Sequence, residues 1–240
     1  MNTLIERIYQ TGQVEDPERG SVTPFPISIP FETGALLYDL IFNEGLNNTL
    51  EVGMAYGLST LFICQAHSDK GAGAHTAIDP HQSSGFRAIG LANIRKAGLD
   101  EHLSFHEAPS FEVLPALCRA GETYDFAFID GRHFFDYVLV DFFYIDKLLR
   151  VGGYVVFDDL WLPQVRKVVS FVLRNRSYEL IKVVGGRRKP PLWRRAARAA
   201  RRFAQTPLTR DVVVKLIGEN VCVLKKLKED ERRAMSHRRF

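Results

Sequence analysis

Apolar residues fall in short blocks along this 240-residue chain, and the blocks follow two different periods. Seven suit strands: "TLEVG" (49–53), "HTAIDP" (75–80), "LSFHEA" (103–108), "YDFAFID" (124–130), "GYVVFDD" (153–159), "YELIKVV" (178–184) and "NVCVLKK" (220–226). Between the earlier ones lie "LSTLFICQAH", "FRAIGLANIRKAG", "SFEVLPALCRA" and "DYVLVDFFYIDKLL". There the apolar residues recur three and four apart, the spacing of a helix with one buried face. Gly98 and Gly152 follow helical stretches and read as C-caps. Strand–helix alternation predicts an α/β fold with a mostly parallel sheet and helices on both faces. The last two strand blocks have no helical pattern between them, which predicts an antiparallel hairpin at the sheet edge.

Four segments follow. Residues 1–45 form an N-terminal cap, with a proline-rich loop "GSVTPFPISIP" before a helical "IPFETGALLYDLIF". Residues 46–184 form the core, 185–211 a basic insertion, and 212–240 the last strand and a charged tail.

Composition sharpens this picture at three points. A hydrophobic content of 46% and a charged content of 25% suit a chain that folds around a core. Cys64, Cys118 and Cys222 are far apart and fall in core elements, which fits reduced thiols and neither a disulfide frame nor a zinc site. The N-terminus lacks a basic start followed by an apolar run, and no apolar stretch reaches the length of a membrane span, so the expectation is a cytoplasmic protein.

The net charge of +4 conceals an asymmetry. Residues 187–210 hold nine of the 32 Lys and Arg and no acid, which leaves 23 bases against 28 acids elsewhere, a net −5. Within that segment Arg194, Arg195, Arg198, Arg201 and Arg202 share one helical face. Leu192, Trp193, Ala196, Ala197, Ala200, Phe203 and Ala204 take the other. Such a helix suits an anionic membrane surface, an anionic acceptor, nucleic-acid phosphates, or packing on the domain or a second subunit of a homo-oligomer. No aromatic-interleaved strand of the RNA-binding type supports nucleic acid.

Candidate chemistry begins at "LEVGMAYGLST" (50–60). A strand ends beside Glu51, and the chain then turns through Gly53 and Gly57 into a helix. Glycines let the backbone bend and approach a ligand, and the helix N-terminus points at the same place. Asp79 lies 22 residues beyond Gly57, where a carboxylate grips the ribose hydroxyls of a nucleoside cofactor. No third glycine completes the dinucleotide fingerprint, so an adenosine ligand without pyrophosphate is the better inference. Further acids close successive strands: Glu107, Asp130, Asp158 and Asp159.

With "AIDP", "FHEAPSFEVLPAL", "YDFAFIDGRH" and "LLRVGGYVVFDD" in order, residues 49–159 resemble class I S-adenosylmethionine-dependent methyltransferases. The likeness is closest to catechol-type small-molecule O-methyltransferases and to the metal-dependent sugar O-methyltransferases of macrolide pathways. It implies a Rossmann-like, seven-stranded sheet with its last strand antiparallel. It also implies that Glu51, Gly53 and Tyr56 line the methionine part of S-adenosylmethionine, with Gly57 and Ser59 beside them. Asp79 would hold the ribose, and Ser110 and Phe111 would border the adenine. Tyr56 also reads as a plain packing aromatic.

Asp130, Asp158 and Asp159 offer three carboxylates from two neighbouring strand ends, a donor set for Mg2+. They match the metal motif of the resembling enzymes, in which the ion lowers the acceptor hydroxyl's pKa. His133, in "DGRH", stands where the catechol-type enzymes carry a lysine base. It reads as a base, as a ligand of metal or substrate, or as a helix cap. His81, beside the cofactor loop, reads as a surface-loop residue or as a contact to cofactor or acceptor, and Trp161 as a wall of the acceptor pocket or as core.

Three functions compete. The first is a metal-assisted O-methyltransferase acting on a small-molecule or sugar hydroxyl. The second is a metal-independent methyltransferase with His133 alone as base. The third is a non-catalytic scaffold that docks on membrane or nucleic acid through its arginine helix.

Overall fold

The computed structural model describes residues 2–16, 20–184 and 220–240. The arginine-rich segment 187–210 lies outside them.

The chain begins with α1 (Thr3–Thr11), capped by the Asn2 side chain, and a short hairpin of β1 (Val14–Asp16) and β2 (Gly20–Val22). Helix α2 (Phe31–Asn43) then leads into strict alternation: β3 (Asn48–Val52), α3 (Leu58–Lys70), β4 (Ala74–Ile78), α4 (Ile89–Lys96) and β5 (Leu103–His106). It continues through α5 (Ser110–Ala120), β6 (Tyr124–Ile129), α6 (Phe135–Leu148), β7 (Leu149–Phe157) and α7 (Pro163–Asn175). Two strands close the fold, β8 (Tyr178–Val184) and β9 (Val221–Lys226).

All seven predicted strands are present and form one sheet in the order β5-β4-β3-β6-β7-β9-β8. The first five pair in parallel, and β9 runs antiparallel to both β7 and β8. The expected antiparallel pair at the sheet edge is present. β8 is the edge, whereas β9 is inserted inside the sheet, as the burial of Val221–Leu224 requires. Gly152 departs from the expected C-cap. It lies at φ +87° within β7, beside the register shift between β6 and β7, and α6 ends four residues earlier. Gly98 does follow its helix in the left-handed conformation, with the Leu99 N–H returning to the Ile94 carbonyl.

The sheet is buried on both faces, which explains why its strands read as nearly continuous apolar runs. Leu50, Val52, Ala127, Ile129, Val155 and Phe157 face one side with residues of α5, α6 and α7. Phe126, Phe128 and Val156 face the other with residues of α1 to α4. Helix α3 is buried from Leu58 to His67, so it lacks the polar face of a surface helix. Cys64 and Cys222 are buried thiols and Cys118 is half-buried; all three are free. Among the described residues, no helix is long and apolar enough to cross a membrane.

A polar chain crosses the α3 side of β3. Thr49 Oγ1 lies 2.8 Å from His67 Nε2 and 2.9 Å from His75 Nδ1, and His75 Nε2 lies 3.2 Å from Glu51 Oε1. All four side chains are fully buried. Burial, seconded by His75, Lys70 and His102, holds the His67 pKa down at about 3, so this ring is neutral at physiological pH.

Candidate active site

A cavity of about 430 Å³ opens beyond the carboxyl ends of β3, β4 and β6, a size suited to a small ligand. One end is built by the loop after β3. Gly53 takes φ +96°, and a Cβ there would stand 2.2 Å from the Asp130 carbonyl oxygen, so only glycine lets β3 and β6 end this close together. The next two amides point at one acceptor: the N–H groups of Met54 and Ala55 donate to Asp79 Oδ2 at 3.0 and 2.7 Å. The His81 N–H donates to Asp79 Oδ1 at 2.8 Å. Asp79 is thus the post that holds two loops, and it also lines the cavity.

Ser59 lines the cavity from the first turn of α3, and Ser110 and Phe111 from the start of α5. The sequence reading placed these three at one site and the fold brings them there. It likewise places Gly53, Asp79, Asp130 and His133 on the wall.

Three expected residues stand elsewhere. Glu51 does not line the cavity. It belongs to β3 itself, one residue before the strand end, and alternation turns it away from the Leu50 and Val52 face. Its carboxylate accepts the Thr60 hydroxyl and faces His75. Tyr56 packs its ring edge-on against Phe86 at 5.2 Å, and Phe86, not Tyr56, reaches the cavity. Gly57 serves packing. At φ +80° it starts α3, and a Cβ would meet the Gly90 backbone at 3.0 Å. Glu107, a further strand-end acid, is exposed and accepts the Ser83 N–H and hydroxyl at 2.6 and 2.8 Å.

The other end of the cavity is a charged cluster. Asp130, His133 and Asp159 each offer one ligand atom, and these atoms lie within 4.8 Å of one another. His133 Nε2 is 3.0 Å from Asp159 Oδ2, and the Trp161 Nε1–H donates to Asp159 Oδ1 at 2.7 Å. Trp161 is 62% exposed, which settles that it is not core. Asp158 is buried and its carboxylate is tied back into the fold: Oδ1 accepts the Asn220 amide at 2.5 Å and the Asp159 N–H at 2.7 Å. Asp158 stands close enough for its charge to act on Asp130, but the three side chains whose ligand atoms come within 4.8 Å of one another include His133 in its stead.

Burial, then Asp158, Asp159 and Glu51, push the Asp130 carboxyl well above the usual carboxylate range. Burial above all, with Asp159 adding to it, lifts Asp158 to about 7 against the opposing Asp159 N–H. So many like charges at one point call for a counter-cation, and the donor set of carboxylates and an imidazole can hold a divalent one.

Several wall residues gave no sequence signal. Ile27, Ser28 and Ile29 arrive from the proline-rich loop, and Arg132 and Tyr137 from the start of α6 and the loop before it. Arg132 lies 5.6 and 5.5 Å over the Phe134 and Tyr137 rings.

Residues 50–160 match a family profile described as a methyltransferase domain. The chain is 32% identical over 152 residues to a caffeoyl-CoA O-methyltransferase of Populus kitakamiensis, covering 60% of each. Among solved structures it is similar to the O-methyltransferase TomG of Streptomyces achromogenes in complex with S-adenosylmethionine. The TM-score is 0.65 at 17% identity, over 95% of this chain and 91% of that one. An O-methyltransferase of Bacillus cereus in complex with S-adenosylhomocysteine gives a TM-score of 0.65 at 16% identity, over 94% and 92%. The chain spans about 46–60% of the length of such curated relatives. Residues 50–160 are therefore matched as a methyltransferase domain, on a fold similar to those of solved O-methyltransferases.

Proposed function

We propose that this chain methylates a hydroxyl of a small-molecule or sugar-bearing acceptor, with S-adenosylmethionine as donor and a divalent cation assisting. The observation that carries this reading is one cavity joining the Gly53–Asp79 loop to the Asp130–His133 cluster, so a donor and an acceptor can meet inside it. The relatives named as O-methyltransferases support the hydroxyl as acceptor.

Each end has a task. Asp79 accepts ribose hydroxyls, Ser110 and Phe111 border the adenine, and Gly53 and Ser59 border the methionine portion. The α3 N-terminus favours a carboxylate at that place. Asp130 and Asp159 hold the cation, with His133 beside them and Asp158 fixing the Asp159 backbone through its N–H. When bound, a cation there lowers the pKa of the acceptor hydroxyl and orients its oxygen, so that a methyl group can be displaced in line from the sulfonium. Ile27 and Phe111, 60% and 46% exposed on the rim, offer apolar cover for the acceptor's body.

The test is turnover and binding measured side by side. With S-adenosylmethionine and a panel of vicinal-dihydroxy aromatic and sugar acceptors, the protein should form S-adenosylhomocysteine. Exhaustive chelation should abolish this while leaving donor binding by calorimetry unchanged. Full activity after chelation would select the metal-independent reading with His133 as base. Donor binding without turnover of any acceptor would favour the scaffold.

The charge concentrated at 187–210 supports a cytoplasmic protein that docks peripherally on anionic membrane. Flotation with anionic vesicles at low salt should recover it, and replacing Arg194, Arg195, Arg198, Arg201 and Arg202 by Gln should release it. Failure of the native protein to float sinks the docking proposal alone.

A further inference from the structure

Magnesium is the ion expected from three carboxylates, because it takes oxygen ligands and keeps part of its water shell. The converging donors are different. Two carboxylates, Asp130 and Asp159, meet one imidazole, His133, with all three ligand atoms within 4.8 Å. One oxygen of the third carboxylate, Asp158 Oδ1, accepts both the Asn220 amide and the Asp159 N–H, which ties this side chain to the residue before β9 and to the strand end.

The arrangement is held from outside. Trp161 Nε1–H fixes one Asp159 oxygen and leaves the other facing His133 Nε2 at 3.0 Å. Asp130 emerges directly from β6, its N–H bonded to the Val52 carbonyl at 2.9 Å. His133 follows three residues later, before α6 begins at Phe135. A neutral imidazole is a good ligand for first-row transition dications, and it adds little for magnesium.

We infer that His133 is a metal ligand, together with Asp130 and Asp159, and that this site is built for an imidazole-accepting transition dication such as Mn2+ or Co2+. Asp158 is then a positioning residue for the strand end. This inference rests on the methyltransferase reading and refines its metal. A ligated His133 has its Nε2 lone pair committed, so it is not the base that takes the acceptor proton.

The test reads the metal directly on the full chain. Any carboxylate site binds Co2+ more tightly than Mg2+, so the diagnostic is the ratio and how it changes. By calorimetry, His133→Ala should weaken Co2+ by roughly 10- to 100-fold, a size typical of losing a group that tunes a metal site. It should leave Mg2+ within about twofold, because magnesium gains little from the imidazole. His133→Asp, which adds a charged oxygen donor, should raise Mg2+ affinity above native and lose the Co2+ preference. Pulsed electron paramagnetic resonance of the Mn2+-loaded protein should show nitrogen coupling from one imidazole, absent in both variants. Asp158→Asn should cost less Co2+ affinity than His133→Ala.

An unchanged Co2+/Mg2+ ratio in His133→Ala, or no nitrogen coupling in the native protein, overturns the inference and leaves a metal-assisted enzyme with His133 free to act as base. A larger loss from Asp158→Asn also overturns it and returns the site to three carboxylates. No binding of any dication overturns it together with the metal part of the proposed function. Donor binding, measured separately, then decides whether the methyltransferase reading itself survives. Circular dichroism on each variant separates lost ligation from lost fold.

Discussion

Asp79→Ala should remove S-adenosylmethionine binding from the measurable range, a loss of at least about 100-fold, because two effects of charge-assisted hydrogen bonding act at once. The carboxylate is only 4% exposed and gathers the N–H groups of Met54, Ala55 and His81. Truncation leaves these three donors without their acceptor, at about 1–3 kcal/mol for each that stays buried. It also removes the charged acceptor proposed for the ribose hydroxyls. Asp79→Asn separates the two effects. One oxygen remains, but the amide NH2 opposes at least one of the backbone donors. Its affinity should fall between those of the native protein and the alanine variant, with partial recovery of thermal stability. Calorimetric titration and a melting curve on each variant suffice. Donor binding by Asp79→Ala within a few-fold of native would remove Asp79 from the cofactor site.

Gly53→Ala should disable both ends of the cavity although it adds a single methyl group. The residue sits at φ +96°, outside the range that alanine adopts without strain, which alone costs on the order of 1–3 kcal/mol. The added Cβ would also stand 2.2 Å from the Asp130 carbonyl oxygen and 2.7 Å from its carbonyl carbon. That contact is with backbone at the end of a central strand, so no rotamer change relieves it. Either the Gly53 loop swings away from Asp79 or Asp130 is pushed from His133 and Asp159. The expected result is a total destabilisation of roughly 3–5 kcal/mol, in the range of severe core overpacking plus backbone strain. Weakened donor binding and weakened metal binding should appear in the same variant. Gly57→Ala is the comparison. It meets Gly90 at 3.0 Å in the packing of α3 against α4, so it should destabilise the protein with a smaller loss of metal binding. Native-like stability and metal affinity in Gly53→Ala would show that β3 and β6 are not bound to each other in this way.

These two glycines show how far local reading carried. Both stood out in the sequence as ligand-approach positions, and both do take positive φ. Which atom each one spares is a property of the neighbouring element: the Asp130 backbone for Gly53, the Gly90 backbone for Gly57. The strand-end acids divide similarly. Asp79, Glu107, Asp130 and Asp158 follow directly on their strands, whereas Glu51 lies inside β3 and faces the opposite side. For Asp79 and Asp130 against Glu51, one residue of register decided between a cavity wall and a buried contact with His75 and Thr60, because side chains alternate along a strand.

The sequence by itself determined the seven strands, the helices between them, the antiparallel final strand, the glycine loop and the acids that follow the strands. These are legible because strand and helix periods, and the turn residues that end them, are set by neighbours a few positions apart. The three-residue strands β1 and β2 are too short to show a period, and only their mutual pairing makes them strands. Tertiary structure alone decided that β9 enters between β7 and β8, and that His75 and Thr60 take the Glu51 carboxylate. It also decided that Asn220 ties back Asp158 and that His133 joins Asp130 and Asp159. Each of these joins residues far apart in the chain, or side chains whose directions are set by packing, and no local pattern encodes where two such groups will meet.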